Sequence, residues 1–306
     1  MSDITILVPF LNEEKNLRIL YNEIVKSVKG FNFKFELLFI NDGSTDKSLS
    51  VIKNLSKNKK IIVRCISLSR NFGKEASIQI GLQKAKCKKY LILLDSDLQH
   101  PPIYIKKFIK KISDPKIDIV VGIRRSYDQG FFRKITSKIF YKIISKFSEI
   151  NLEEGSTDYS IISRKVLNSM NKYNHGVFYY KALLSYVGFK RTYVYFDAPK
   201  RIHGSSTFGL SGLIDKAVFS IIQYSKFPIK FTFYLGVILL VLSIIFFAMI
   251  LIMKFYYNMY ISNPIILLNI NFIFISIILM FLGLIGLYVL NLKDQISSKQ
   301  NAIIND

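Results

Sequence analysis

The chain has 306 residues, 43 of them Lys or Arg against 21 Asp or Glu, and half of the residues are hydrophobic. That length accommodates one α/β domain of about 200 residues plus an appendage, and two lone cysteines, Cys65 and Cys87, without metal or redox spacing, exclude a cysteine-built metal or disulfide centre. The net charge of +22 suits an anionic membrane surface better than nucleic acid, because no nucleic-acid recognition motif accompanies it. In chain order, Ile4 to Pro9 predicts a strand, Glu13 to Val28 a helix, Phe35 to Ile40 a strand, Asp46 to Leu55 a helix and Ile61 to Leu68 a strand. Lys74 to Ala85 then predicts a helix, Tyr90 to Leu94 a strand, Ile103 to Ile112 a helix and Ile117 to Gly122 a strand. Such alternation predicts a mostly parallel sheet wrapped by helices.

Three strand ends carry polar signatures. The apolar run Tyr90 to Leu94 ends in Asp95-Ser96-Asp97-Leu98-Gln99. On extended backbone alternate side chains share a face, so Asp95, Asp97 and Gln99 can converge, and oxygen-only donors at that spacing suit Mg²⁺ or Mn²⁺ completed by substrate phosphates. The same acidic pair would also serve as a cap for the helix that Pro101-Pro102 opens. After the first strand comes Pro9-Phe10-Leu11-Asn12-Glu13, and after the second Asn41-Asp42-Gly43-Ser44-Thr45-Asp46. Taken singly, Asn12 and Thr45 are helix N-caps and Asp42-Gly43 a turn pair. Jointly, carboxylates at the ends of the first, second and fourth strands are what a nucleotide pocket needs: Asp42 to accept from a base N–H, Glu13 to face base or ribose, and a cation to hold the diphosphate.

Farther along, Phe131 to Phe147 sets Phe and Ile at helical spacing between Arg133, Lys134, Lys138, Lys142 and Lys146. A basic amphipathic helix of this kind suits an anionic headgroup layer, or packs its apolar stripe on the domain core. Ser211 to Pro228 is a second amphipathic candidate. Two uncharged stretches follow, Phe231 to Met253 and Ile265 to Leu290. At about 1.5 Å per residue each is long enough to span a hydrocarbon core of about 30 Å. Aromatic residues at Phe255, Tyr256, Tyr257 and Tyr260 mark a bilayer interface between them. Lys226, Lys230, Lys293 and Lys299 outside the pair, against Lys254 inside it, predict that both termini are cytoplasmic. Asn269 and Asn271 either sit at the interface or bond across to the first span. Ile4 to Leu11 is too short for a cleavable signal peptide.

The pieces Val8-Pro-Phe-Leu-Asn-Glu13, Asn41-Asp-Gly-Ser-Thr-Asp46, Leu68-Ser-Arg-Asn-Phe-Gly-Lys74, Asp95-Ser-Asp-Leu-Gln-His-Pro-Pro102, Gly122-Ile-Arg-Arg125, Thr157-Asp-Tyr159 and Arg201-Ile-His-Gly-Ser-Ser206 stand in that order ahead of the apolar pair. In this the chain resembles the GT-A-fold family 2 glycosyltransferases, in the branch of dolichol-phosphate mannose synthase and the bacterial polyprenyl-phosphate glucosyltransferases. The resemblance implies a Rossmann-like GT-A domain, amphipathic interface helices and two transmembrane helices. It further implies transfer of a sugar from a nucleotide donor, UDP-linked or GDP-mannose, to a membrane polyprenyl phosphate with inversion, at the bacterial plasma membrane. The implied layout is a cytoplasmic catalytic domain over 1–210, a juxtamembrane helix over 211–230, a hairpin over 231–292 and a tail over 293–306.

By the same resemblance Asp95, Asp97 and Gln99 are the metal-side residues. Pro9, Glu13 and Asp42 hold the nucleoside, Asn12, Gly43, Arg201 and Ser206 are further donor-binding residues, and Arg124, Arg133 and Ser137 meet the acceptor phosphate. Read from the residues themselves, Arg70 and Lys74 flank a glycine at a helix start and either face a phosphate or solvate a surface; Lys74 is the better phosphate candidate, because a cation at a helix N-terminus is otherwise unfavourable. Asp158 has a sugar-orienting or structural role, and relatives in this branch assemble as tetramers. One departure is Thr207, where the family usually has a lysine; the phosphate contact then falls to Arg201 or Lys200. A phosphomonoester acceptor is anionic at neutral pH, with a second pKa near ~6, so no general base is required, and none of the three histidines has an obvious basic partner. A processive polysaccharide synthase would need further spans and an acceptor motif with tryptophan, which this chain lacks. A non-catalytic scaffold would not be expected to keep Asp95, Asp97 and Gln99 together.

Overall fold

The computed structural model describes residues 2–57, 61–125, 153, 155–172, 179–199 and 227–297. The described residues fall in two compact units, one holding the sheet and its helices, the other a pair of long helices. In the first unit, strand β1 (Ile4–Phe10), helix α1 (Leu17–Val28), β2 (Phe35–Asn41), α2 (Ser48–Leu55), β3 (Ile62–Ser67), α3 (Lys74–Lys84) and β4 (Tyr90–Leu93) alternate as the hydrophobic pattern predicts. A 3₁₀ turn (Pro102–Tyr104), α4 (Ile105–Ile112), β5 (Ile119–Arg124), β6 (Ser156–Ser163), α5 (Arg164–Lys172), α6 (Tyr180–Tyr186) and β7 (Arg191–Phe196) complete it.

The seven strands are ordered β3-β2-β1-β4-β6-β5-β7. Among the described strands only β6 runs against the rest, antiparallel to both β4 and β5. Alternate side chains of β1 feed opposite layers, as strand geometry requires: Ile4, Ile6 and Val8 pack with Leu20, Ile24, Phe108 and Tyr159, whereas Leu7 packs with Ile78, Leu82, Leu93 and Leu167. Both faces of the sheet are thus covered, which is why β1 and β2 are mostly apolar and buried throughout, with Thr5 and Glu36 bonded to each other inside.

The chain order reverses at β1, which pairs with β2 on one side and β4 on the other. In open α/β sheets ligands bind beyond the carboxyl ends of the strands at such a switch point. Pairing of β1 with β4 ends at Leu7–Leu93, while pairing with β2 continues to Phe10–Asn41. Pro9 is therefore accommodated in a central strand, since it lies past the end of the β4 ladder.

In the second unit α7 (Phe227–Phe255) and α8 (Asn263–Ser297) form an apolar pair, both long and apolar enough to cross a membrane. The described part of α7 includes the last residues of the predicted juxtamembrane helix, and α8 runs on into the predicted tail. The helices meet backbone to backbone: a Cβ at Gly236 would stand 2.6 Å from Met280 N and 2.9 Å from Ser276 O. Outward-facing Phe231, Ile238, Leu242, Phe274 and Ile278 are more than half exposed or nearly so, as a surface meant for lipid would be. Asn269 resolves the sequence alternatives, since it is buried and donates from Nδ2 to the Ser243 carbonyl at 3.2 Å, whereas Asn271 is exposed. Asn269→Leu is expected to lower the stability of the pair by about 1 kcal/mol, read as an earlier midpoint in SDS unfolding of the reconstituted protein.

Candidate active site

The polar strand ends gather at the carboxyl edge of β1, β2 and β4, and the loops there are tied by their own side chains. Asn12 has φ +54 and is not a helix cap; α1 starts at Leu17, preceded by Asn16. Instead Asn12 accepts the Thr45 N–H on Oδ1 at 2.9 Å and donates its own N–H to Ser44 Oγ at 3.0 Å. Thr45 likewise caps nothing, because α2 starts at Ser48, whose N–H is taken by Asp46 Oδ1 at 2.9 Å. Glu13 donates its N–H to Ser48 Oγ at 2.8 Å and accepts from Asn16 Nδ2 at 2.6 Å. The loops after β1 and β2 are therefore one interlocked unit.

Asp42, 3% exposed, accepts the Phe72 N–H at 2.9 Å and the Gly73 N–H at 3.0 Å, one on each carboxylate oxygen. This fastens the loop after β3 to the end of β2. Gly43 next to it has φ +74, and a Cβ there would collide with the Arg70 carbonyl carbon, so the approach of the two loops requires glycine at this position. Lys74, the first residue of α3, follows directly on the fastened loop.

Beyond β4 the chain does not continue as extended backbone. The strand ends at Leu93, and residues 96–100 form a tight turn in which Leu98 takes φ +63. Asp97 Oδ1 accepts the Gln99 N–H at 3.1 Å, and the Asp95 N–H donates to His100 Nδ1 at 3.0 Å. The placing of Asp95, Asp97 and Gln99 thus owes more to this turn than to strand pleating. His100 is 2% exposed, stacked on Tyr159 at 5.1 Å between ring centres and edge-on to Phe196, which buttresses the turn from beneath. Gln99 Oε1 accepts from Arg124 Nη2 at 3.1 Å, joining the β4 turn to the end of β5.

The centre of the site is ionic. Lys74 Nζ lies 2.6 Å from Asp95 Oδ1 and 2.6 Å from Asp158 Oδ2, so one carboxylate just past β4 and one on β6 share one ammonium. Lys181 lies 4.0 Å from Asp158 Oδ1 and donates to the Ser156 carbonyl at 3.0 Å. Burial works against a charged Asp158, but Lys74 and then Lys181 outweigh it and hold the carboxyl well below the usual range. In Asp95 burial is likewise outweighed by Lys74 and then His100. Burial pushes the His100 imidazole down, more than the facing Asp95 lifts it.

Asp158, Asp95 and His100 all have folded values below their unfolded ones, so the unfolded chain binds more protons as pH falls, and stability falls with it. The melting temperature is expected to drop in two stages, one below about 6.5 from His100 and one below about 4 from the carboxylates. Asp158→Asn should flatten the lower stage in a calorimetric pH series, and an unaltered profile would contradict the ion pair.

Among the described residues no three His, Cys, Asp or Glu side chains form a ready-made metal cage. Asp95 and Asp97 supply carboxylate oxygens at one turn, a donor set that fits Mg²⁺ or Mn²⁺ sharing its shell with phosphates. Of the residues expected from the sequence, Pro9, Asn12, Glu13, Asp42, Gly43, Asp95, Asp97, Gln99, Arg124 and Asp158 belong to strand ends or the loops beyond them, and Lys74 opens α3. Arg133, Ser137, Lys200, Arg201, Ser206, Thr207 and the amphipathic segments 131–147 and 211–226 lie outside the described residues. Two contributors escaped the sequence reading: Lys181, which no motif marks, and His100, whose partner is the backbone N–H of Asp95, five residues before it.

A mostly parallel, doubly covered sheet with an acidic and cationic carboxyl edge at its switch point defines an α/β domain whose ligand site lies at that edge. The glycosyl transferase family 2 profile matches residues 5–170, and the chain belongs to that family. CsbB of Bacillus subtilis, a provisionally named glycosyltransferase, is 34% identical over 243 residues, covering 79% of this chain and 73% of CsbB. The bactoprenol glucosyl transferase of Shigella phage SfV is 31% identical over 251 residues, covering 81% of this chain and 80% of its own. Among solved structures, glucosyl-3-phosphoglycerate synthase from Mycobacterium tuberculosis, in complex with Mn²⁺, UDP and phosphoglyceric acid, superposes with a TM-score of 0.54 at 16% identity, over 72% of this chain and 78% of that one. That likeness is one of GT-A fold.

Proposed function

We propose that this glycosyltransferase moves a hexose from a nucleotide-diphosphate sugar, UDP-linked in the first instance and GDP-mannose as the alternative donor, to a membrane polyprenyl phosphate with inversion at the anomeric carbon. The observation that carries the reading is the joining, on one chain, of the Asp95-Asp97 turn flanked by Lys74 and Arg124 to an apolar helix pair long enough to cross a bilayer. Its support from relatives is the name borne by the SfV protein, a bactoprenol glucosyl transferase, across four-fifths of the chain.

In this reading Asp95 and Asp97, with Gln99 beside them, hold a divalent ion, Mg²⁺ or Mn²⁺, which as a Lewis acid neutralises charge on the departing diphosphate. Asn12, Glu13, Asp42 and Gly43 shape the nucleoside end through the loops they lock together. A phosphate oxygen of the acceptor attacks the anomeric carbon as the bond to the diphosphate oxygen breaks, so no proton need be removed from the nucleophile. His100 suits this scheme, because its Nδ1 is already engaged by the Asp95 N–H and its ring is buried. Arg124, and Arg133 with Ser137, aim the acceptor phosphate, a task for which a guanidinium fork is well shaped. The catalytic unit over 1–210 and both termini lie on the cytoplasmic side, by the distribution of lysines around the two spans.

The test is transfer of radiolabelled sugar into the organic phase by protein reconstituted with polyprenyl phosphate and Mn²⁺ or Mg²⁺. Label from one nucleotide hexose should appear in a mild-acid-labile lipid. Label that stays aqueous with every UDP- and GDP-hexose would overturn the reading, and label moving only to a larger lipid-linked glycan would reassign the acceptor.

A further inference from the structure

The Lys74 ammonium occupies an unusual place. Position one of a helix disfavours a cation, because the first backbone N–H groups already present positive partial charge. Lys74 sits there nonetheless, held at 2.6 Å by Asp95 on one side and at 2.6 Å by Asp158 on the other. Asp95, Asp97 and Asp158 bring three negative charges to this edge, and Lys74, Lys181 and, through Gln99, Arg124 return three positive ones. The side chains of Lys74, Asp95 and Asp158 are 34%, 22% and 12% exposed, so the cluster is only partly shielded, although Asp95 Oδ1 and Asp158 Oδ1 are themselves buried. A divalent ion on Asp95 would meet a fixed ammonium across a single carboxylate, and like charges that close repel strongly in a partly desolvated site.

We infer that Lys74 is a built-in counter-ion that keeps the free enzyme's hold on the catalytic cation weak, so that the ion is taken up strongly only together with the negative charge of a nucleoside diphosphate. Asp158 sets the strength of this device, because it shares the ammonium with Asp95 at equal distance and so leaves less of its charge to Asp95; Lys74 is a positioning residue acting through Asp95. The inference rests on the reading that Asp95 and Asp97 hold the ion. A plain structural strut would behave differently, since removing either end would loosen Asp95 and weaken ion binding in both cases.

The experiment is Mn²⁺ titration of the full chain in nanodiscs, followed by the electron paramagnetic resonance signal of free Mn²⁺, with and without UDP. The wild type should bind Mn²⁺ weakly alone and at least about tenfold more tightly with UDP, as added negative charge requires. Lys74→Met, or Lys74→Gln should the first variant not fold, should tighten binding of Mn²⁺ alone by about tenfold or more and shrink the effect of UDP. Asp158→Asn should do the reverse, weakening Mn²⁺ alone and widening the gap. Weaker binding in both variants, or no change in either, overturns the counter-ion role while leaving the metal site standing. Absence of Mn²⁺ binding by the wild type even with UDP overturns the metal reading itself.

Discussion

Asp97→Asn is expected to lower turnover by at least about a thousandfold, some 4 kcal/mol of transition-state stabilisation, while leaving the melting temperature within a degree or two. The two halves of this expectation have separate grounds. Asp97 Oδ1 accepts the Gln99 N–H at 3.1 Å, and the amide oxygen of an asparagine in the same rotamer can accept that bond, so the turn survives. What asparagine cannot do is supply the charge that binds a cation beside a departing diphosphate. Initial rates at saturating donor, paired with a thermal melt, separate the two; a variant that melts normally and turns over within tenfold of wild type would remove Asp97 from the chemistry.

Asp42→Asn is expected to have the second largest effect, on stability as well as rate. The Asp42 carboxylate takes the N–H groups of Phe72 and Gly73 on separate oxygens. An amide keeps one acceptor and turns its own N–H₂ toward the other donor, so the variant loses one charge-assisted bond and gains a donor–donor conflict, at a cost of about 2–3 kcal/mol. The loop it releases runs directly into Lys74, and through it to Asp95 and Asp158. Donor binding should therefore weaken together with a fall in melting temperature of several degrees. Loss of donor binding at an unchanged melting temperature would instead assign Asp42 to direct contact with the base.

Much of this architecture is written in apolar runs. The strands β1, β2 and β4 are legible because both faces are buried, and the carboxylates are legible because they end those runs abruptly. What escaped the sequence are the bonds between distant segments. Asn12 and Thr45 look like helix caps in isolation, yet they bond to each other across 33 positions, and the helices start later. Strand β6 is hidden by its own chemistry, since Asp158 and Ser160 interrupt the apolar pattern where the strand meets the site. Lys74 reads as a phosphate ligand or a surface charge because nothing local reveals a partner 84 positions away. Asn269 could not be placed until the opposing helix supplied the Ser243 carbonyl.

The position of the cation in the donor-bound enzyme decides whether Asp95 and Asp97 act as proposed. Crystals or oriented particles of the full chain with UDP and Mn²⁺, measured at the manganese absorption edge, should give one anomalous peak within bonding distance of Asp97, between the β4 turn and the diphosphate. A UDP complex in which the peak is absent, or lies away from Asp95 and Asp97, would contradict it.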